Sequence, residues 1–344
     1  RVVPFACFTL TASGRAAEEL FCEAWEKKGR VPQNILFPST LYHQIDQGFS
    51  LREMPAAVIL DLQSDASFKG NIDLAALTAE LDAHGAEIGY VCIELTDNAG
   101  GGGAVSLSHL KQVRALLDSC RDRHPVHLVL DATRVVENAL VVIEHESEWR
   151  SATPWQVVEA LLSQADVVIA SLAKDFCVDK GGLIATNDQA LHDRLQALQQ
   201  RSGKALDAID RKCIAASVQN RSFIETQVRR RVDAVRALGQ RLADHGLPVV
   251  RPSLAHCVLI DVKRIPEFRD LAAPVASFVA WLYLATGVRA GAHSVGMQQN
   301  SPLNQLVRLA IPVGLKSEDV RRLGDRLVEA FAQKVNIPDV AVVD

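Results

Sequence analysis

An alternation constrains this chain more than any other feature: short β-branched apolar runs are separated by longer stretches in which apolar residues recur at helical spacing. The runs are "AAVILDL" (56–62), "IGYVCIELT" (88–96), "VHLVLDAT" (126–133), "ADVVIAS" (165–171) and "GGLIAT" (181–186). This is the pattern of an α/β domain with a largely parallel sheet. Between the runs, "SLSHLKQVRALLDSCRDR" (106–123) opens on a serine cap at Ser106 and puts Leu110, Val113, Leu116 and Leu117 on one helical face. "TPWQVVEALLSQ" (153–164) repeats the device, with Thr153 as cap and Pro154 at the first helical position. The stretch 216–245 reads as one or two helices that Gly246 and Pro248 stop. Beyond it the pattern changes to a strand "HCVLIDV" (256–262), a helix over 274–286, a strand "LVRLAIP" (306–312) and a last helix from Ser317 to about Lys334, which together describe a smaller α+β unit.

A chain of 344 residues has room for two domains. Its 48% hydrophobic and 23% charged residues are those of an ordinary globular protein. A formal net charge of -4 gives no pull toward nucleic acid or an anionic membrane, and neither is an expected partner. No run reaches the roughly 18 apolar residues that would span a bilayer, and no signal-peptide pattern opens the chain, so the cytoplasm is the expected compartment. The seven cysteines are scattered, without a C-x-x-C pair or zinc-ligand spacing, and read as small buried hydrophobes in a reducing environment; no metal site is expected from them. The first residue is Arg1 and an apolar run, "VVPFACFTL", follows at once, so an upstream segment is expected to be missing.

In an open parallel sheet, ligands collect beyond the carboxyl ends of the strands. Four segments carry polar residues there. The run 88–96 leads to Asn98, the run at 126 to Asp131 and Arg134, and the run at 165 to Ser171 with Lys174 three positions on, while "TLTASGRAAEEL" sets Ser13, Gly14 and Arg15 at the start of a helix. A helix N-terminus bearing glycine, a hydroxyl and an arginine suits a phosphate, since free backbone N–H groups and the helix dipole favour an anion. Each signal has a plainer reading: Lys174 as a loop lysine with its ammonium in water, Asp131 as a cap or turn former, Ser-Gly-Arg as an ordinary helix start. The glycine run 100–103 lacks the Lys-Ser/Thr of a P-loop and reads as a turn. Together, an anion site, a carboxylate, arginines and a lysine at the strand ends of one sheet fit pyridoxal phosphate.

The chain also resembles a known family. "LDATRVVENA" (130–139) followed by "SLAKDFCVDKGGLIATND" (171–188) is similar to the tyrosine phenol-lyase and tryptophanase family of β-eliminating lyases. The likeness continues through "TASGRAAE" (11–18), "NILFPSTLYHQ" (34–44), "FKGNIDL" (68–74), "LTDNAGGGGAVS" (95–106), "ATGVRA" (285–290) and "LVRLAIP" (306–312), in unbroken order over nearly the whole chain. It implies the fold-type I architecture of aspartate aminotransferase-like pyridoxal phosphate enzymes, with a large cofactor-binding domain at 1–228 and a small α+β domain at 229–344. By the same resemblance, Lys174 is the Schiff-base lysine, desolvated so that its amine can attack an aldehyde and later act as a base. Asp131 pairs with the pyridine nitrogen and keeps it protonated. Arg134 and Asn98 bond the phenolic oxygen, Ser13, Gly14, Arg15 and Ser171 form the phosphate pocket, Phe37 stacks on the ring, and Arg308 holds the substrate carboxylate as a fork. Read on residues alone, Arg308 could equally be a surface arginine and Phe37 a core aromatic.

Departures from the family pattern fall on substrate recognition. Ala173 stands where the lyases carry a second lysine, and Pro38 and His293 stand where phenol-specific members carry a threonine and an arginine near the substrate's ring hydroxyl. The family's catalytic tyrosine and a carboxylate ligand of its potassium ion lie upstream of Arg1, and the aromatic-rich tail is not seen. His293 reads either as a proton donor to a leaving group or as a solvated loop residue, and His43 as structural. The expected activity is β-elimination from an L-amino acid with an aromatic or related side chain, giving pyruvate and ammonia, with potassium as a further cofactor and a homodimer or homotetramer as the assembly. Alternatives are β-replacement or carbon–carbon bond formation yielding a modified amino acid, aminotransfer, and a non-catalytic cofactor-binding relative.

Overall fold

A computed structural model describes residues 3–203, 205–293 and 301–340 of the chain. Its larger sheet has seven strands: β1 (Cys7–Thr11), β2 (Arg30–Gln33), β3 (Ser50–Glu53), β4 (Val91–Glu94), β5 (Leu128–Asp131), β6 (Val167–Ser171) and β7 (Gly182–Thr186), in the order β1-β7-β6-β5-β4-β2-β3. From β6 to β3 every neighbouring pair is parallel, while β7 runs antiparallel to both β6 and β1. The largely parallel sheet expected from the sequence is present.

Alternation along each strand sends successive side chains to opposite faces. Leu128 and Leu130 of β5, Val91 and Ile93 of β4, and Val168 and Ala170 of β6 enter one core with helices α3 (Leu74–His84), α4 (Leu107–Ser119), α5 (Val135–His145) and α6 (Pro154–Leu162). Val129, Cys92, Val167 and Ile169 enter another with α1 (Gly14–Ala24), α2 (Pro38–Asp46) and α7 (Gln189–Ser202). Each such side chain, fully buried, contributes about 1.5–3 kcal/mol relative to exposure. The expected caps are in place: Ser106 accepts from His109 N, and Thr153 forms a reciprocal capping box with Gln156.

The stretch from 205 onward holds α8 (Ala208–Gln219) and the long α9 (Arg221–Asp244), separated at Asn220. A second sheet, β8 (Cys257–Asp261), β9 (Gly291–Ala292) and β10 (Leu306–Ala310), is antiparallel in the order β8-β10-β9 and packs with α10 (Pro266–Arg269), α11 (Pro274–Thr286) and α12 (Ser317–Gln333). Helix α9 serves both units: Ile224, Val228 and Val232 lie in a core of the large sheet, and Ala234, Val235, Leu238 and Leu242 in that of the small one. The expected division at 228/229 falls within this helix. Among the described residues no helix is long and apolar enough to cross a membrane.

One expected strand is not formed. The run 56–62 folds as a 3-10 turn, Ala57–Leu60, in which Ile59 is buried and Leu60 exposed. It follows Pro55, and short apolar runs do not by themselves distinguish strand from helix. Conversely, β1, β2 and β3 were not among the expected strands. Two of them read poorly as strands: "RVPQ" contains a proline and "SLRE" is half charged.

Candidate active site

Register places the chemistry. Asp131, the last residue of β5, pairs across the sheet with Glu94, the last of β4, and with Ile169 of β6, which runs two residues further to Ser171. The chain leaves these ends through 95–98, 132–134 and 171–174. Backbone bonds draw the exits together: Arg134 N donates to Leu95 O (3.1 Å), and Ser171 N donates to the Thr133 hydroxyl (2.9 Å).

Asp131 is 6% exposed and accepts Thr133 N–H at 2.9 Å, closing a turn on its own strand end. Burial raises its pKa, against Thr133 and the Arg134 guanidinium, which lower it. Among the described residues no cation lies within ion-pair distance of it. A buried carboxylate at a strand end without a cation suits a protonated ring nitrogen.

Lys174 is exposed, which corrects the expectation of an amine withdrawn from solvent, and among the described residues it has no hydrogen bond or ion pair. Its pKa is nevertheless lowered, by partial burial and by the guanidiniums of Arg134, Arg15, Arg231 and Arg308. Three of these four arginines were expected at the site. Their positive field also suits a phosphate dianion.

At the N-terminus of α1, Ser13 caps the helix by accepting Ala16 N–H, and both Ser13 and Arg15 are exposed. Gly14 leaves no room for a side chain: a Cβ there would lie 2.5 Å from the Ser171 Cβ. Gly182 likewise sits against Ser13, its would-be Cβ 2.2 Å from the Ser13 carbonyl oxygen. The helix start therefore closes directly onto the end of β6, a backbone cradle of the kind that receives a phosphate. The residues present fit pyridoxal phosphate: an anion cradle ringed by cations, a free amine, and a buried acid.

Phe37 is half-buried at the cap of α2, and the exposed Pro38 begins the helix. Glu94 fixes both Phe37 and Asn98, accepting the backbone N–H of the first at 2.8 Å and of the second at 3.1 Å. The Asn98 side-chain oxygen in turn accepts from Arg308 (2.7 Å) and meets His256 Nε2 (2.7 Å). On β10, Val307 and Leu309 are buried in the small unit's core, so Arg308 between them faces the other way and reaches the large unit. His293 is 5% exposed, its Nε2 2.6 Å from the Ala99 carbonyl; burial, with the Arg308 charge adding, pushes it down to about 4. The solvated-loop reading of His293 does not hold.

Several residues of the site were not found from sequence. Glu94 ends an apolar strand. His256 bridges Asn98 and Glu137, with Nδ1 2.8 Å from Glu137 Oε1. Both His256 contacts are donated together only by a doubly protonated ring, while burial and then the Arg134 charge push its pKa down to about 4. Glu137, Asp175 and Arg231 form a buried ionic group behind Lys174. For Arg231 a signal existed: it falls on the apolar stripe of α9 marked by Ile224, Val228 and Val235.

Residues 1–313 match the family model for β-eliminating lyases. Among curated relatives, the tyrosine phenol-lyase of Pasteurella multocida (strain Pm70) is 30% identical, the alignment covering 97% of this chain and 75% of that protein. The tyrosine phenol-lyase of Clostridium tetani (strain Massachusetts / E88) is 33% identical over 88% of this chain and 68% of that protein. A probable tryptophanase of Aeropyrum pernix is 32% identical over 87% and 66% respectively. With a fold, a strand-end site and a family match all in agreement, the chain belongs to the β-eliminating lyases and is a pyridoxal-phosphate-dependent carbon–carbon lyase of fold type I.

Proposed function

We propose that the chain eliminates the β-substituent of an L-amino acid bearing an aromatic or related side chain, releasing pyruvate and ammonia. The observation that carries this reading is the pairing, among the described residues, of an exposed, unbonded Lys174 of lowered pKa with a buried Asp131 that has no ion-paired cation, at adjoining strand ends. Bound pyridoxal phosphate supplies an aldehyde for the amino group and a ring that withdraws electrons from the α-carbon. Arg308, oriented by Asn98, grips the substrate carboxylate. Lys174 takes the α-proton, a role that a lowered pKa favours. Asp131 keeps the ring nitrogen protonated, Arg134 and Asn98 bond the phenolic oxygen, Ser13, Gly14, Arg15 and Ser171 hold the phosphate, and Phe37 stacks on the ring.

A second reading, β-replacement or carbon–carbon bond formation, draws on Pro38 and His293. A proline has no donor for a ring hydroxyl, and His293 faces the Ala99 carbonyl. To separate the readings, the cofactor-loaded protein is incubated with a panel of amino acids while pyruvate and ammonia are measured. Release of both supports elimination. Consumption of the amino acid without either, together with a new amino acid in the presence of an added carbon nucleophile, supports replacement. The same proposal includes a potassium requirement, checked by exchanging potassium for lithium, and a symmetric dimer or tetramer, checked by sedimentation.

A further inference from the structure

Behind the strand ends lies an ionic layer that the proposed chemistry does not use. Asp175, the residue after Lys174, is fully buried. Its Oδ2 accepts the backbone N–H of Glu137 in the first turn of α5 (2.9 Å), and its Oδ1 accepts from Arg231 (2.6 Å). The same Arg231 nitrogen donates to Glu137 Oε2, while Glu137 Oε1 accepts from the Thr96 hydroxyl (2.7 Å). Arg231 is 4% exposed and sits where α9 passes from one core to the other. The turn bearing Lys174, the helix that follows Asp131 and Arg134, and the helix that enters the small unit are therefore pinned at one guanidinium.

Stability is a weak reason for that arrangement. A buried cation shared by two carboxylates is costly to desolvate, and well-packed apolar side chains of similar volume commonly do as well or better. Arg231 stands on an apolar stripe where leucine would pack. What the shared cation supplies is geometry: one guanidinium nitrogen, Nη2, holds both carboxylates at a single point.

We propose that Arg231 is a positioning residue for Lys174, holding through Asp175 and Glu137 the turn that presents the amine and setting that turn against the segment of Asp131 and Arg134. The inference rests on the reading of Lys174 as the cofactor-bearing amine. The charges that lower that amine's pKa come from four elements: Arg134 at the start of α5, Arg15 on α1, Arg231 on α9 and Arg308 on β10; Asp175, next in the chain, is a buried acid whose own pKa burial raises. Loss of Arg231 removes one of four cations and leaves Asp175 and Glu137 without their shared partner. The first change favours the charged ammonium at 174.

The test uses cofactor-free protein and follows acetylation of Lys174 against pH by mass spectrometry, with exposed Lys212 as internal control. In Arg231→Gln the Lys174 midpoint rises, and its acetylation near neutral pH slows about tenfold for each unit of rise. Arg231→Lys restores most of the wild-type profile. Where Arg231→Gln does not fold, Asp175→Asn is used: it keeps the cation but cuts the tether, and amide exchange over 172–178 quickens by about tenfold or more while distant segments hold. An unmoved Lys174 profile in folded Arg231→Gln, or unmoved exchange in Asp175→Asn, overturns the inference and leaves the reading of Lys174 standing. A wild-type Lys174 that titrates like Lys212 overturns both.

Discussion

The two sides of the strand ends are built from opposite charges with opposite exposure. In front stand Lys174 and Arg15, exposed, with Arg134 and Arg308 half-buried. Behind them lie Glu18, Glu94, Asp97, Asp131, Glu137 and Asp175, all buried. The front is open to an anionic ligand, whereas the carboxylates behind are spent on the frame, accepting the backbone N–H groups of Phe37, Asn98, Gly100, Thr133 and Glu137. Their protonation follows from their partners. Despite burial, Arg231 and His256 hold Glu137 well below the usual carboxylate range. Glu18 has only hydroxyls and a distant Arg15 to set against burial and the nearby Asp131, and is pushed up to about 7. A lysine or arginine in such a cleft is cheap to keep until a ligand arrives; a buried acid has to be compensated permanently by donors or by a proton.

The sharpest way to break this contrast is at the front. Lys174→Ala is expected to lower pyruvate release by about 10³-fold or more. Because Lys174 is exposed and, among the described residues, unbonded, the melting temperature of the cofactor-free protein stays at the wild-type value; a large fall there would mean that the lysine belongs to the frame. Next in size, Asp131→Asn tests a residue between the two sides: it is expected to cost roughly a hundredfold in kcat, with cofactor retained as judged by absorbance after dialysis. Arg308→Ala follows, raising KM for amino acids by about 10–100-fold through loss of a charge-assisted fork, with a smaller change in kcat.

The smallest effect, and the one that sharpens the picture of the back layer, is on stability. Glu18 titrates at about 7 in the folded chain against 4.5 for an unperturbed glutamate. The folded state thus holds the proton more tightly than the unfolded one, so this group's contribution to stability falls as pH rises from about 4.5 to about 7, by up to about 3 kcal/mol. In cofactor-free protein, Glu18→Gln is expected to melt higher than wild type at pH 8 and equally at pH 4. The Ser39 hydroxyl, which donates to Glu18 at 2.7 Å, still finds an oxygen in glutamine. Equal melting at both pH values would return Glu18 to the ordinary carboxylates.

Elements with strong local signals were legible from the sequence. The helix expected over 274–286 is α11 (Pro274–Thr286), bounded by Pro274 in its first turn and by Gly287 at φ 71 after its end. The buried strands β4 to β7 announced themselves by apolar runs. Strands β2 and β3 did not, because "RVPQ" and "SLRE" owe their conformation to pairing with each other and with β4 rather than to their composition. The same division holds at the site. The front residues could be found because each follows a recognisable strand or opens a helix, and because they fall on family motifs. Arg231 and Glu137 are 94 positions apart and Asn98 and His256 are 158 apart; no local pattern joins them, and only the folded chain does.

Helix α9 carries one further consequence. Its 24 residues span about 36 Å without a proline. Seated in both cores and held near its middle at Arg231, it forms one rigid strut whose midpoint is tied to the residue that follows Lys174, so the reactive turn and the small unit share a single support.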